Sequence, residues 1–411
     1  MSASRQPAVR FIFVTMVLSV MGFGLLIPVL PALVKEFRGG DTASGSHTYG
    51  VLVGVYALLQ FIGSPILGSL SDRFGRRKVI LISLAGSSID YVIMALAPNL
   101  AWLFVARCIS GFTAGVLATA NAYVADVTPP EKRAQSFGLL GAAFGLGFII
   151  GPLLGGFLGS YSLRLPFWFA AGFAALNFLY GLLVLPESLQ PENRRAFSWA
   201  RANPIGALRA LKRLPAVRGL AESYFLVMLA QSMLYTIWVL YTGHRYGWDT
   251  RAVGFSLCAV GVLSAVVQAT LVRKFVASLG DSRAMLTGFL LSITAQFGYG
   301  LAPSGWMVYA VMLVGSLAGI TGPALQSYIT KHVPPNEQGA VQGVFSGLMS
   351  LANIPGPLIA TWSFGWAVGP GRPMWVSGLP FFLSASVVIL ALVLAVRSFD
   401  RHDAAQAAQA T

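Results

Sequence analysis

The sequence predicts an all-α membrane protein: twelve transmembrane helices in two pseudo-symmetric six-helix bundles. Three observations carry this. Of 411 residues, 56% are hydrophobic and 10% charged, with mean hydropathy +0.71. Soluble domains average about 25% charged residues, so this chain has too little charge to cover a water-facing surface of its size. Apolar runs of about 18 or more residues recur along its length. The halves also repeat. "PPEKRAQSFG" (129–138) matches "PPNEQGAVQG" (334–343), "GPLLGG" (151–156) matches "GPLIAT" (356–361), and "GRRKVIL" (75–81) matches "GDSRAML" (280–286), all offset by 205 positions.

A span needs about 20 helical residues, because lipid leaves backbone polar groups no outside partner. The runs lie at 10–32, 48–70, 79–98, 101–124, 136–159, 166–186, 218–241, 252–272, 283–303, 306–330, 339–363 and 375–396. The first apolar stretch, 11–34 with Pro28 and Pro31, exceeds the roughly 7–15 apolar residues of a secretory signal and reads as a retained span. Placing the N-terminus inside gives 21 Lys and Arg in inner segments and 6 in outer loops. That asymmetry puts both termini in the cytoplasm. Residues 1–186 form the first bundle, 187–217 a cytoplasmic central loop, and 218–411 the second bundle with a short tail. Within the loop, 204–213 reads as a linker or a short basic amphipathic helix. The layout is that of transporters whose substrate sits near the midplane between repeats.

The net charge of +14 lies in short links between apolar runs, which excludes a nucleic-acid face. The two cysteines, Cys108 and Cys258, lie inside apolar runs and offer neither a disulfide framework nor metal spacing. No phosphate loop or nucleophile–base set appears. The expectation is a monomeric non-enzyme without metal or cofactor. Its partners are lipid, protons and a small molecule. His47, His244, His332 and His402 are expected in links.

"GSLSDRFGRRKVIL" (68–81) concentrates charge in this apolar chain. Gly68 and Gly75 permit close approach and a tight turn. Asp72 suits a helix N-terminus. Arg73, Arg76 and Arg77 reach toward carboxylates such as Asp126, with Glu131 also at the inner face. Such a cluster makes a bistable latch; the plainer alternative is a positive-inside loop.

This stretch resembles the signature loop of the major facilitator superfamily, through Gly68, Leu70, Asp72, Arg73, Gly75, Arg76, Arg77 and Lys78. "LFVARCISGFTAG" (103–115) resembles the fourth-span motif of its drug–proton antiporters, and "GLGFIIGPLLGG" (145–156) their fifth-span motif, through Gly147, Gly151, Pro152, Gly155 and Gly156. "PES" (186–188) ends span six as in many members. "GLLIPVLPAL", "SLAGSSIDYVIMALAP", "NAYVADVTPPEKRAQSFG" and "GFSLCAVGVL" look like the bacterial tetracycline-efflux branch. The resemblance covers about 10–396. It implies a secondary exporter of the bacterial inner membrane, with a proton-coupling arginine at Arg107 and a cavity-lining aspartate at Asp90.

The residues themselves point the same way. An ionisable group inside a span costs about 2.5–3.5 kcal/mol on insertion scales and defaults to a functional role. Asp90 and Arg107 are the clear cases, as a proton site or as a structural pair. Glycines 147, 151 and 155 repeat every four residues, baring one helix face for close packing, and Pro152 bends the helix. Cavity candidates are Gln60, Ser88, Asp90, Gln231, Trp238, Ser264, Gln268, Gln296, Gln326 and Asn353; each alone also suits a helix–helix hydrogen bond. Where the tetracycline branch has an aspartate in span one, a histidine in span eight and an aspartate in span nine, this chain has Ser19, Ser264 and Ser292. That favours a more neutral, amphipathic cargo. The expected function is proton-coupled export of such a compound by alternating access. The alternative is an uptake carrier or facilitator of the same fold with weak or no coupling.

Overall fold

A computed structural model describes residues 6–199, 202–203, 218–331, 333 and 337–410. Among the described residues every regular element is helical. The helices are α1 (Gln6–Leu26), α2 (Leu30–Phe37), α3 (Thr42–Phe74), α4 (Arg76–Leu96), α5 (Leu100–Thr113), α6 (Val116–Val127), α7 (Arg133–Gly159) and α8 (Leu165–Val184). After the central loop come α9 (Arg218–Tyr246), α10 (Thr250–Val266), α11 (Val272–Leu301), α12 (Gly305–Leu317), α13 (Thr321–Lys331), α14 (Gln338–Ala352), α15 (Pro355–Ala367) and α16 (Leu379–Ala410).

Among the described residues, eleven helical segments are long and apolar enough to cross a membrane. One of them, Thr250–Leu301, has 52 residues, roughly 78 Å of helix against about 30 Å of hydrocarbon. Gly280 breaks it with φ 75° and ψ 163°, and division there gives the twelve expected spans. The break falls in the charged link "GDSR", where a span must end.

Several spans are built from two helices. Pro31 stands in the first turn of α2 and Pro355 opens α15, positions where the missing N–H disrupts no helical bond. Span four breaks at Ala114–Gly115, and a 3₁₀ turn over Ala318–Ile320 divides span ten. The helices also outrun their apolar cores. Span two was expected at 48–70 but occupies Thr42–Phe74, because a helix continues into the polar interface while its own hydrogen bonds last. For that reason His47, His244 and His402 lie on α3, α9 and α16 rather than in links. His332 and the proposed helix at 204–213 fall outside the described residues.

Packing divides the chain into two compact units. The first comprises Met1–Asp41, Val55–Asn203 and Trp248–Gly261, and the second Thr42–Gly54, Pro204–Gly247 and Val262–Thr411. The first is centred on Phe11, Ile12, Met16, Ile80, Leu84 and Tyr123. The second is centred on Leu220, Met285, Phe289, Ile320, Leu325 and Ile329. Many large apolar side chains stay exposed, Leu183 at 82% and Leu96 at 61%, as lipid-facing surfaces require.

Candidate functional site

Asp90 on α4 and Arg107 on α5 meet in the first unit. Arg107 Nη2 donates to Asp90 Oδ2, and both side chains are buried, at 0% and 4% exposure. Two glycines set the geometry. A Cβ on Gly111 would lie 2.6 Å from the Tyr56 carbonyl oxygen, and one on Gly63 would lie 2.5 Å from that of Phe112. The backbones of α3 and α5 therefore touch, which brings the Tyr56 ring to 5.3 Å from the Arg107 guanidinium. Arg107 Nε is buried without a hydrogen-bond partner, and the Ser110 hydroxyl also stands against the Asp90 carboxyl. Protonating Asp90 removes the charge that holds the buried Arg107 guanidinium, so proton uptake and the integrity of this pair are coupled.

The charged loop forms a second cluster, centred on Arg76. Its Nη1 donates to Asp72 Oδ1 at 2.5 Å and to Ser71 Oγ at 2.6 Å, and its Nε donates to Asp126 Oδ2 at 3.1 Å. Ser188 Oγ donates to the same Asp126 oxygen at 3.1 Å. Arg77 instead holds the end of α8, donating to the Leu182 carbonyl at 2.6 Å.

Some expectations about this loop change. Asp72 does not cap a following helix; it lies in the last turn of α3. The anion at the start of α4 is Glu187, whose Oε1 accepts from Arg76 N at 2.7 Å, Ser188 N at 3.1 Å and Leu189 N at 3.2 Å. Gly75, at φ 104°, presses so closely on the Glu187 carboxylate that a Cβ would collide with it. Gly68 makes no such approach, since nothing lies within 4 Å of a Cβ built there. Arg73 stacks over Phe74 at 4.9 Å. Glu131 is exposed in the turn Pro130–Lys132 and makes none of the ion pairs among the described residues. Sequence reasoning noticed "PES" but passed over Glu187, Ser71 and Ser188.

The glycines of α7 serve two neighbours. A Cβ on Gly147 would lie 2.9 Å from Val17 O, and one on Gly151 would lie 2.7 Å from Met21 O. Gly155 meets Leu25 of the same helix α1, and Pro152 lies against Gly24. Gly156 faces α10 instead. A Cβ there would lie 2.9 Å from the Gly254 Cα, and Thr250 Oγ1 donates to its carbonyl at 3.2 Å.

The polar lining candidates are divided between the two units. In the first unit Gln60 is half-buried, and Ser88 ties helices together by donating to Ala171 O at 3.4 Å. In the second unit Trp238 is buried edge-on to Tyr299, with ring centres 5.2 Å apart. Gln231, Ser264 and Asn353 are half-buried, and Gln268 is exposed in the π-turn Val267–Leu271. Gln296 is 4% exposed, and its Oε1 has no partner. Gln326 Nε2 donates to Gln342 Oε1 at 3.0 Å. That pair borders a cavity of about 110 Å³, also lined by Tyr224, Leu325, Phe345, Ser346 and Met349. Drug-sized ligands occupy about 300–1,000 Å³, so this hollow admits one polar group of a larger molecule. Gln342, Ser346 and Tyr224 were missed; a polar residue at one-turn spacing from Gln338 to Gln342 and Ser346 was the available signal. Ser19 accepts a hydrogen bond from the buried Asn177 at 3.2 Å.

The family model for the Major Facilitator Superfamily matches residues 12–357. The class C tetracycline resistance protein of Escherichia coli is 37% identical over 370 residues, covering 90% of this chain and 93% of that protein. The class B protein of Escherichia coli is 35% identical over 385 residues, covering 92% and 94%. The crystal structure of the human organic anion transporter MFSD10 superposes with a TM-score of 0.70 at 28% identity, covering 95% of this chain and 99% of that one.

Proposed function

We propose an exporter's role for this chain, which belongs to the major facilitator superfamily: it carries a small amphipathic compound out of the cytoplasm in exchange for protons, by alternating access. The observation that carries the reading is the buried Asp90–Arg107 ion pair. It joins an ionic cluster at Arg76 and similarity over nine-tenths of the chain to tetracycline resistance proteins. On this reading the chain is a monomer of the bacterial inner membrane with both termini cytoplasmic. It divides at 187–217 into bundles 1–186 and 218–411, and works by conformational change rather than by enzymatic chemistry.

Asp90 is the proton site, and Arg107 positions it and stabilises its charged form. Arg76, held by Asp72 and Asp126, is the inner latch, with Glu187 locking the start of α4. Gly147, Gly151 and Gly155 seal α7 on α1, opposing leak. Gln326, Gln342 and Ser346 supply neutral polar contacts, with Gln60, Gln231, Gln268, Gln296 and Asn353 as further contacts along the path. Ser19, Ser264 and Ser292 stand where the tetracycline branch is ionisable, so the favoured cargo is neutral or monocationic rather than a charged drug–metal chelate. Those serines also motivate the second reading, metabolite uptake with weak coupling.

The test is drug-induced proton movement in acid-loaded everted membrane vesicles. A panel of amphipathic compounds that includes tetracycline should contain members that dissipate the gradient. Silence across the panel, together with metabolite uptake in intact cells, would favour the second reading.

A further inference from the structure

We infer that Asp281 and Lys331 form a second ionic latch, the charge-reversed counterpart of Arg76 and Asp126, acting on the same transport cycle. The inference deepens the alternating-access reading and rests on it. Gly75, Arg76 and Asp126 recur 205 positions later as Gly280, Asp281 and Lys331. Both glycines have positive φ, 104° and 75°. Behind each glycine a helix starts with the charged residue. Each partner stands at the end of another helix: Asp126 one residue before the end of α6, Lys331 at the last residue of α13. Lys331 Nζ lies 2.5 Å from Asp281 Oδ2, where Arg76 Nε lies 3.1 Å from Asp126. The same joint is built twice with the signs exchanged.

The exchange has a physical consequence. A helix N-terminus carries partial positive charge and a C-terminus partial negative charge. Arg76 puts a cation at the positive end, and the first unit answers with Glu187 on the Arg76 N–H. Asp281 puts an anion there, and Lys331 puts a cation at a C-terminus, so the second joint agrees with both dipoles. The supporting groups of the first joint are therefore dispensable in the second. At the same offset Ser71, Asp72, Glu187 and Ser188 become Val276, Ala277, Leu392 and Val393. Only the cross-helix pair is retained. It is also poised to break: the Asp281 side chain is 7% exposed and its Oδ1 is unpartnered, while Lys331 is 64% exposed and free to move into water.

The test needs no substrate, so it does not depend on naming the cargo. Ser346 is exposed on α14; Ser346→Cys in a Cys108→Ser, Cys258→Ser background is labelled with N-ethylmaleimide in everted vesicles. Arg76→Gln sets the reference direction for loss of the first latch. Asp281→Asn and Lys331→Met should shift the labelling rate about fivefold in that direction, as loss of one ion pair of modest strength does. The double exchange Asp281→Lys with Lys331→Asp should return it part of the way to the parent rate, because the exchanged pair restores attraction but opposes both helix dipoles, and Lys331→Arg should leave it unchanged. Unchanged labelling in well-folded Asp281→Asn and Lys331→Met protein, or no recovery in the exchange variant with its melting temperature intact, would overturn the inference. If Arg76→Gln itself did nothing, the underlying latch reading would fall first. Should the exchange variant fold poorly, the Lys331→Met and Lys331→Arg pair alone decides, since Lys331 is mostly exposed.

Discussion

Asp90 is fully buried and bonded through Oδ2 to the Arg107 guanidinium. Asp90→Asn removes the titrating group and keeps the shape. It should abolish proton-coupled exchange while sparing substrate counterflow, measured in proteoliposomes. Removing the other partner acts differently. Arg107→Ala strands a buried carboxylate, and breaking one side of such a pair costs about 3–5 kcal/mol. Thermal unfolding in detergent should show that loss for Arg107→Ala, with Asp90→Asn plus Arg107→Gln recovering much of the stability but no coupling. Both residues were legible in the sequence, because a charge deep in an apolar run has few innocent explanations. Glu187 was not. It sits where a span ends, a carboxylate there is inexpensive, and only the folded chain brings it onto the start of α4. The role of the lining candidates was less legible, for the opposite reason. A polar side chain in a span can bond a neighbouring carbonyl, as Ser88 does with Ala171, and sequence does not distinguish that from a cargo contact.

At the scale of elements, α7 presents adjacent glycine faces to two helices. Gly156→Leu would drive a side chain into the Gly254 backbone and the Thr250 carbonyl. Overpacking of this kind costs about 1–3 kcal/mol, so transport should fall sharply and the melting temperature modestly. Gly75→Ala meets two obstacles, a left-handed backbone and the Glu187 carboxylate. Strain of about 1–3 kcal/mol is expected, read as slowed turnover and a lowered melting temperature. The spans themselves were legible because lipid demands long apolar helices. Their ends and internal breaks were less so. α3 begins at Thr42 well before its apolar run, and Gly280 interrupts a helix that is otherwise continuous. Both are decided by backbone geometry at the polar interface rather than by hydropathy.

Across the two units, a repeat of 205 positions carries the same joint with opposite polarity, and among the described residues Asp90–Arg107 is the ion pair with both partners buried. If the proposed latch governs switching rather than binding, Arg76→Ala should slow turnover while leaving substrate affinity nearly unchanged; transport kinetics beside equilibrium binding separate the two. The central claim is that Asp90 couples proton flow to export. The most direct measurement is gradient dissipation in acid-loaded everted vesicles on adding a transported drug, comparing the parent chain with Asp90→Asn at equal protein level. The account predicts rapid dissipation by the parent and none by the variant. Equal dissipation by both would contradict it.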